Sequence, residues 1–332
     1  MITLDRIRGM IIGAVLGDAL GVPHEFKYQR KLKYTGKLQY TAPIIRQFQK
    51  PLHLAIGQYS DDSKLMITLA RSLVENEGYD RDKTLLQYLK WANSSMPLMG
   101  KNTRELLKGV GVTTINGYQN RYYKKFTINS PDTYSLGNGS LMRAAPLALL
   151  KDSVGVIEDC KLTNPHPINL DCNLVYIKMV QMALSGYNSI QIIEETSFII
   201  QTDEVRSILS DVLNKKHRDL AHNKCWCLHG IYCAFWCLLY YNNYSEAINW
   251  LIGENIGSDT DTNACIVGGL LGALYGYENL IKDEQTKENI NIVRSIDTKN
   301  GDLPRPIEYS LHDFDELTQK LYDIFVTKET KK

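Results

Sequence analysis

The sequence predicts an all-α fold, and three observations carry that expectation. Apolar residues recur at helical spacing, as Leu65, Leu69 and Leu73 do in one segment and Val175, Met179, Met182 and Leu184 in another. Strand-like alternation is scarce. Of the 332 residues, 44% are hydrophobic and 23% charged, which leaves ample material for a core.

Taken in order, helices are expected at about 5–20, 61–76, 82–93, 101–115, 139–150, 168–185, 203–213, 228–241, 245–252, 260–275 and 312–326, with ends good to about 2–4 residues. The first is apolar from Met10 to Leu16 and closes on Gly17, Asp18 and Gly21. The second starts where Ser60 or Asp61 can cap free amides and carries the Leu65, Leu69, Leu73 stripe. The fifth follows the glycines at 137 and 139, and the sixth carries the Val175 to Leu184 stripe. "LHGIYCAFWCLLYY", from Leu228, is apolar on nearly every face, and "ACIVGGLLGALYG", from Ala264, is rich in glycine and alanine and able to pack closely. Both read as buried helices.

Between about 31 and 58 the periodicity disappears, and a loop of that length in a compact domain suits a lid. The tyrosine-rich stretch 120–135 is similarly irregular. The motifs described below lie far apart in the chain yet share one chemistry, so residues 1–327 are expected to form a single domain and 328–332 a frayed tail.

Lysine and arginine number 38 against 37 aspartates and glutamates, a net charge of +1. That balance offers no field for general nucleic-acid or membrane binding. The basic stretch "NKKHRDLAHNK" at 214–224 reads as a solvated loop. Arg6 and Arg8 ahead of an apolar run imitate a secretory signal, but cleavage near Ala19 would destroy the first motif. No apolar stretch reaches the roughly 20 residues that cross a bilayer. A soluble, intracellular, cytoplasmic protein is expected. Seven cysteines in no paired pattern fit a reducing compartment. Cys225, Cys227, Cys233 and Cys237, although near His222 and His229, lack zinc-ligand spacing and read as small hydrophobes in a helix.

Four motifs carry chemistry. "GDALGVPHEF" (17–26) ends an apolar helix with Asp18 and Glu25, which suit equally a hydrogen-bonded turn with a surface carboxylate, or a site. "GQYSDDSKLM" (57–66) sets Ser60, Asp61, Asp62 and Ser63 at a helix start, and capping needs only one of those oxygens. "GSDTDTNA" (257–264) repeats the arrangement with Asp259, Asp261 and Thr262. An EF-hand loop would need glycine at Ala264 and glutamate at Leu270, so it fails. Together these helix starts offer Asp61, Asp62, Asp259 and Asp261 with the hydroxyls of Ser60 and Thr262. The set is all hard oxygen, which favours Mg²⁺, Mn²⁺ or Ca²⁺ over zinc. Four carboxylates exceed what one Mg²⁺ usually takes, and two ions roughly 3.5–4 Å apart are the natural solution. In "SLGNGSLMRAAPLALL" (135–150), Gly137 and Gly139 bracket Asn138 ahead of an expected helix. Exposed amides there suit a phosphate. Arg143 either reaches that ligand or pairs with a carboxylate elsewhere.

With these four motifs in this order, the chain resembles the ADP-ribosylglycohydrolases over about residues 8–277. The resemblance implies an orthogonal helical bundle with a binuclear Mg²⁺ or Mn²⁺ centre that removes ADP-ribose from modified protein side chains or related conjugates. Metal binding would fall to Ser60, Asp61, Asp62, Asp259, Asp261 and Thr262. Asp62 and Glu25 are the candidate bases, and Ser135, Gly137, Asn138 and Gly139 would lie against the diphosphate. The family's usual Thr-Asp-Asp-Thr appears here with Ser60 and Ser63, which keeps both hydroxyls. Its Gly-Gly ahead of the later aspartates is Gly257-Ser258. A histidine common after threonine is replaced by Asn164 in "LTNPHPINLD", which leaves the adenosine-side contacts unassigned. A monomer acting on an ADP-ribosylated protein or conjugate is the expectation. The alternatives are a catalytically silent ADP-ribose-binding module and a two-metal nucleotide phosphohydrolase.

Overall fold

The apolar run from Met10 to Leu16 has no polar face to give to water, and in the computed structural model it lies in the middle of the protein. The structure describes residues 1–25, 33–39, 55–94, 99–128, 136–254, 258–295 and 306–328. Among them the chain forms fifteen α-helices and no strand. An isolated antiparallel bridge joins Gly137 to Trp226. No described helix is long and apolar enough to cross a membrane.

Helix α1 (Leu4–Gly21) and helix α12 (Thr260–Tyr275) are buried along almost their whole length. They run antiparallel in backbone contact. A Cβ on Gly9 would sit 2.2 Å from the Gly272 oxygen, one on Gly13 2.3 Å from the Gly268 oxygen, and one on Gly17 2.1 Å from the Ala264 oxygen. Such distances leave no room for any side chain, so the four-residue spacing of small residues on both helices sets how closely and in what register they meet. Arg6 anchors the far end. Its Nη1 donates to the Ala183, Ala273 and Leu274 oxygens, carbonyls in the last turns of two helices.

Around this pair pack α2 (Asp61–Asn76), α3 (Arg81–Ala92), α4 (Lys101–Leu107), α5 (Ile115–Tyr123), α6 (Val154–Thr163), α7 (Pro167–Ser185), α8 (Ser189–Ser197), α9 (Asp203–Leu213), α10 (Cys227–Tyr240), α11 (Tyr244–Glu254), α13 (Tyr277–Leu280), α14 (Glu284–Ser295) and α15 (Phe314–Tyr322). One hydrophobic cluster extends from Ile7 to Phe325. Cys227, Cys233 and Cys237 are buried in it on α10, as small hydrophobes would be.

Three expectations need correction. The helix at 101–115 stops at Leu107, because Gly109 and Gly111 turn the chain at φ of 130° and 80°, and α5 starts afresh under a Thr114 cap. The chain is then helical through Ile128, so much of the stretch read as irregular from 120 is ordered. No α-helix occupies 139–150. Turns there lead into a 3-10 helix at Ala145–Leu149, since Pro146 has no N–H to give a helical ladder. Helices α5, α6, α8, α13 and α14 escaped the periodicity argument. Helix α14 has Ile290 and Val293 as its only fully buried apolar residues, and α8 has nine residues, too few for a clear stripe. Most of the expected lid, and tail residues 329–332, lie outside the described residues.

Candidate active site

The antiparallel seam sets the C-terminal end of α1 against the N-terminal end of α12. At Gly21 a Cβ would stand 2.5 Å from the Asp261 Cα, and the Thr260 hydroxyl donates to the Gly21 oxygen at 3.0 Å. Three residues earlier on α1, Asp18 points at the start of α2. Its carboxylate accepts from the Ser60 N–H at 2.9 Å, the Ser63 N–H at 3.0 Å and the Ser63 hydroxyl at 2.5 Å. Asp18 therefore caps α2 from another helix and draws Asp61 and Asp62 toward Asp259 and Asp261.

Two groups of three carboxylates result. Oxygens of Asp18, Asp62 and Asp261 lie within 4.8 Å of one another, and so do those of Glu25, Asp259 and Asp261. Asp261 is common to both. Burial drives its pKa well above the ordinary carboxylate range, and Glu25, Asp259, Asp62 and Asp18 push it further. Asp62 is raised the same way, first by burial and then by Asp18, Asp61 and Asp259. For Asp259 burial also dominates, against hydrogen bonds from Asn138 and others.

This arrangement fits hard divalent cations. Asp62 Oδ1 is buried without a hydrogen-bond partner, while Oδ2 accepts from the Ser60 hydroxyl at 2.5 Å. Asp259 sits at the N-cap of α12 yet makes no side-chain cap, so capping does not account for it. Repelling carboxylates and an open buried oxygen are costly without a counter-charge, and the donors are all oxygen. Ser60 and Thr262 are buried beside them. Asp61 lines the same cleft but belongs to neither group, and accepts from the Gly100 N–H at 3.3 Å.

The cleft holds about 440 Å³, and its wall includes Gly137, Asn138 and Gly139. Ser135 lies outside the described residues. The loop is not the start of an α-helix, as the sequence suggested. It is held from several sides instead. Asn138 donates from its backbone to the Cys225 oxygen at 2.9 Å and from its side chain to Asp259 Oδ2 at 2.8 Å. The Gly137 oxygen accepts from Asn164 and Asn169, at 3.0 and 2.7 Å. Arg143, wholly buried, donates to the Gly139 oxygen and pairs with Asp159 at 2.9 Å. Of its two readings, the carboxylate partner is the one the fold adopts. Asn164 lines the cleft, and its amide supports the loop.

Two residues at the cleft were not placed there by the sequence. Asp18 was seen but not given to the centre, although a carboxylate inside an apolar run was a usable signal. Cys225 departs from the expectation of a small hydrophobe in a helix: it precedes α10, is exposed, and lines the cleft beside Asp259, where desolvation raises its thiol pKa. No local pattern marked it, because its neighbour is 34 residues away.

Fold and site together define an all-α protein with a buried, metal-competent carboxylate centre at the meeting of two helix starts. The chain belongs to the ADP-ribosylglycohydrolase family, whose sequence model matches residues 1–298. It is 24% identical to an ADP-ribosylarginine hydrolase of Pseudomonas putida, over 83% of this chain and 72% of that one. It is 23% identical to the ADP-ribosyl-[dinitrogen reductase] glycohydrolase of Rhodospirillum rubrum, over 88% and 93%. A solved "ADP-ribosylglycohydrolase-related protein complex" shares the fold with a TM-score of 0.71 at 20% identity, covering 97% of this chain and 99% of that one.

Proposed function

We propose that this protein hydrolyses the bond between ADP-ribose and a modified protein side chain or related conjugate, at a centre of two divalent cations, Mg²⁺ or Mn²⁺. The observation that carries the reading is Asp261, shared by both carboxylate groups beside the unpartnered Asp62 Oδ1. Asp61, Asp62, Asp259 and Asp261 would hold the ions with Ser60 and Thr262. Bound there, the ions neutralise the carboxylates and supply Lewis acidity toward ribose and water oxygens.

The chain's own residues do the rest. The reaction breaks the anomeric carbon's bond to the leaving nitrogen or oxygen and forms one to water, through an oxocarbenium-like state. Glu25 and Asp62 are the groups placed to take the water's proton and return one to the leaving group. Asp18 keeps the start of α2 in register with α12. The loop at Gly137–Gly139 lies along the cleft where a diphosphate would run, its conformation held by Asn164, Asn169 and Arg143.

The test is incubation of metal-depleted protein, with and without Mg²⁺, with ADP-ribosyl-arginine and ADP-ribosyl-serine peptides, poly(ADP-ribose) and O-acetyl-ADP-ribose. Release is followed by mass. Magnesium-dependent ADP-ribose from one substrate establishes reaction and linkage. Release of AMP or phosphate identifies a nucleotide phosphohydrolase instead. Tight ADP-ribose binding with no release across the panel identifies a non-catalytic module.

A further inference from the structure

Five carboxylates line the cleft, those of Glu25, Asp61, Asp62, Asp259 and Asp261. A diphosphate brings two more negative charges to the same cleft. Among the described residues lining it, one carries a cationic side chain, Lys101 at the first position of α4. Its side chain is 83% exposed and its ammonium lies 3.9 Å from Glu105, a loose surface pair that holds it weakly. Two residues along, Thr103 faces Gly139, where a Cβ would lie 3.4 Å from the Thr103 hydroxyl. The chain around Lys101 thus packs beside the Gly137–Gly139 loop, and both line the same cleft. Gly100 also donates to Asp61 Oδ2, which ties that wall to the carboxylate floor.

We infer that Lys101 is the substrate-binding cation that fixes which way the ligand lies. The diphosphate runs along the Gly137–Gly139 loop within reach of Lys101, so the scissile ribose meets the carboxylates and the adenosine leaves toward Asn164. The alternative orientation carries the diphosphate away from Lys101, the one cationic residue among the described residues that line the cleft. Lys101 suits the task because an ammonium on a flexible stem neutralises a phosphate without demanding one geometry. This inference rests on the hydrolase reading for its ligand.

Calorimetric titration of the Mg²⁺-loaded full chain with ADP-ribose, ADP and adenosine tests it. Replacing Lys101→Ala is expected to weaken ADP-ribose and ADP about tenfold each and adenosine not at all, and to flatten the salt dependence of binding. Lys101→Arg restores the affinity. In turnover, KM rises about tenfold while kcat changes little, as when ground-state and transition-state binding are lost equally. Affinity for ADP within twofold of the parent overturns the inference, and so does an equal loss for adenosine. The two readings fail separately. A parent that hydrolyses no conjugate while Lys101→Ala still loses ADP binding overturns the activity and leaves the contact standing. Hydrolysis by the parent with undiminished ADP binding in Lys101→Ala does the reverse.

Discussion

Two buried carboxylate networks touch the Gly137–Gly139 loop, and they resolve their charge in opposite ways. Asp159 accepts from Arg143 Nε at 2.9 Å and from the Tyr88 hydroxyl at 2.8 Å. The guanidinium also donates to the Gly139 and Asp159 oxygens and to the Thr163 hydroxyl, and lies 4.9 Å from the Tyr88 ring. Burial alone would lower the Arg143 pKa, yet Asp159 and Tyr88 outweigh burial and raise it. The second network, Asp62 with Asp259 and Asp261, has burial and like charge acting in the same direction, and one oxygen without a partner. A buried carboxylate completed by its own chain is architecture. One left incomplete is a place for something the chain does not supply.

The comparison breaks most visibly at Asp261. Asp261→Asn should reduce turnover to background and abolish Mg²⁺ binding by calorimetry, while the metal-free variant melts at a higher temperature than the metal-free parent because a buried like charge is gone. Unchanged turnover would remove the two-ion centre.

Arg143→Met should act with the opposite sign on stability, costing about 3–5 kcal/mol by urea denaturation because Asp159 is left buried and unpaired. Adding Asp159→Leu should recover most of it. A loss under about 1 kcal/mol would mean that the pair is not what holds the loop.

Next in size is the seam that brings the carboxylates together. Gly13→Ala drives a Cβ against the Gly268 oxygen, and forcing the helices apart should cost about 1–3 kcal/mol. It should also weaken Mg²⁺ binding, since α1 carries Asp18 and α12 carries Asp261. Full Mg²⁺ affinity in that variant would show that helix spacing and site geometry are independent.

The smallest effect is in pH. Asp62 and Asp261 have folded-state pKa values raised above the ordinary 3.8, so above that pH the folded state holds protons the unfolded chain has released. Their contribution to metal-free stability therefore falls as pH rises through the window above 3.8. The melting-temperature gap between metal-free parent and Asp261→Asn should widen from about pH 4 toward neutrality and close when Mg²⁺ is added to the parent. A gap independent of pH would sink the like-charge account.

Much of this was legible in the residues. Helix α12 read as buried because its run from Ala264 has no polar face, and the gathering of carboxylates was readable because Asp61 and Asp62, like Asp259 and Asp261, stand close together in the chain. The polar helix α14 was not legible, because two buried apolar residues do not make a period. Nor was the missing helix after Gly139, where Pro146 was in plain sight but its effect depended on how the loop was held.

By itself the sequence determined the helical class, the family and the chemical type of the site, since periodicity, motif order and side-chain chemistry are properties of short stretches. Only the tertiary structure decided that Asp18 caps α2 from α1, that Asp261 serves both carboxylate groups and that Arg143 belongs to Asp159. Each of those depends on distances across the molecule, and such distances are set where glycine backbones on α1 and α12 meet with no side chain between them.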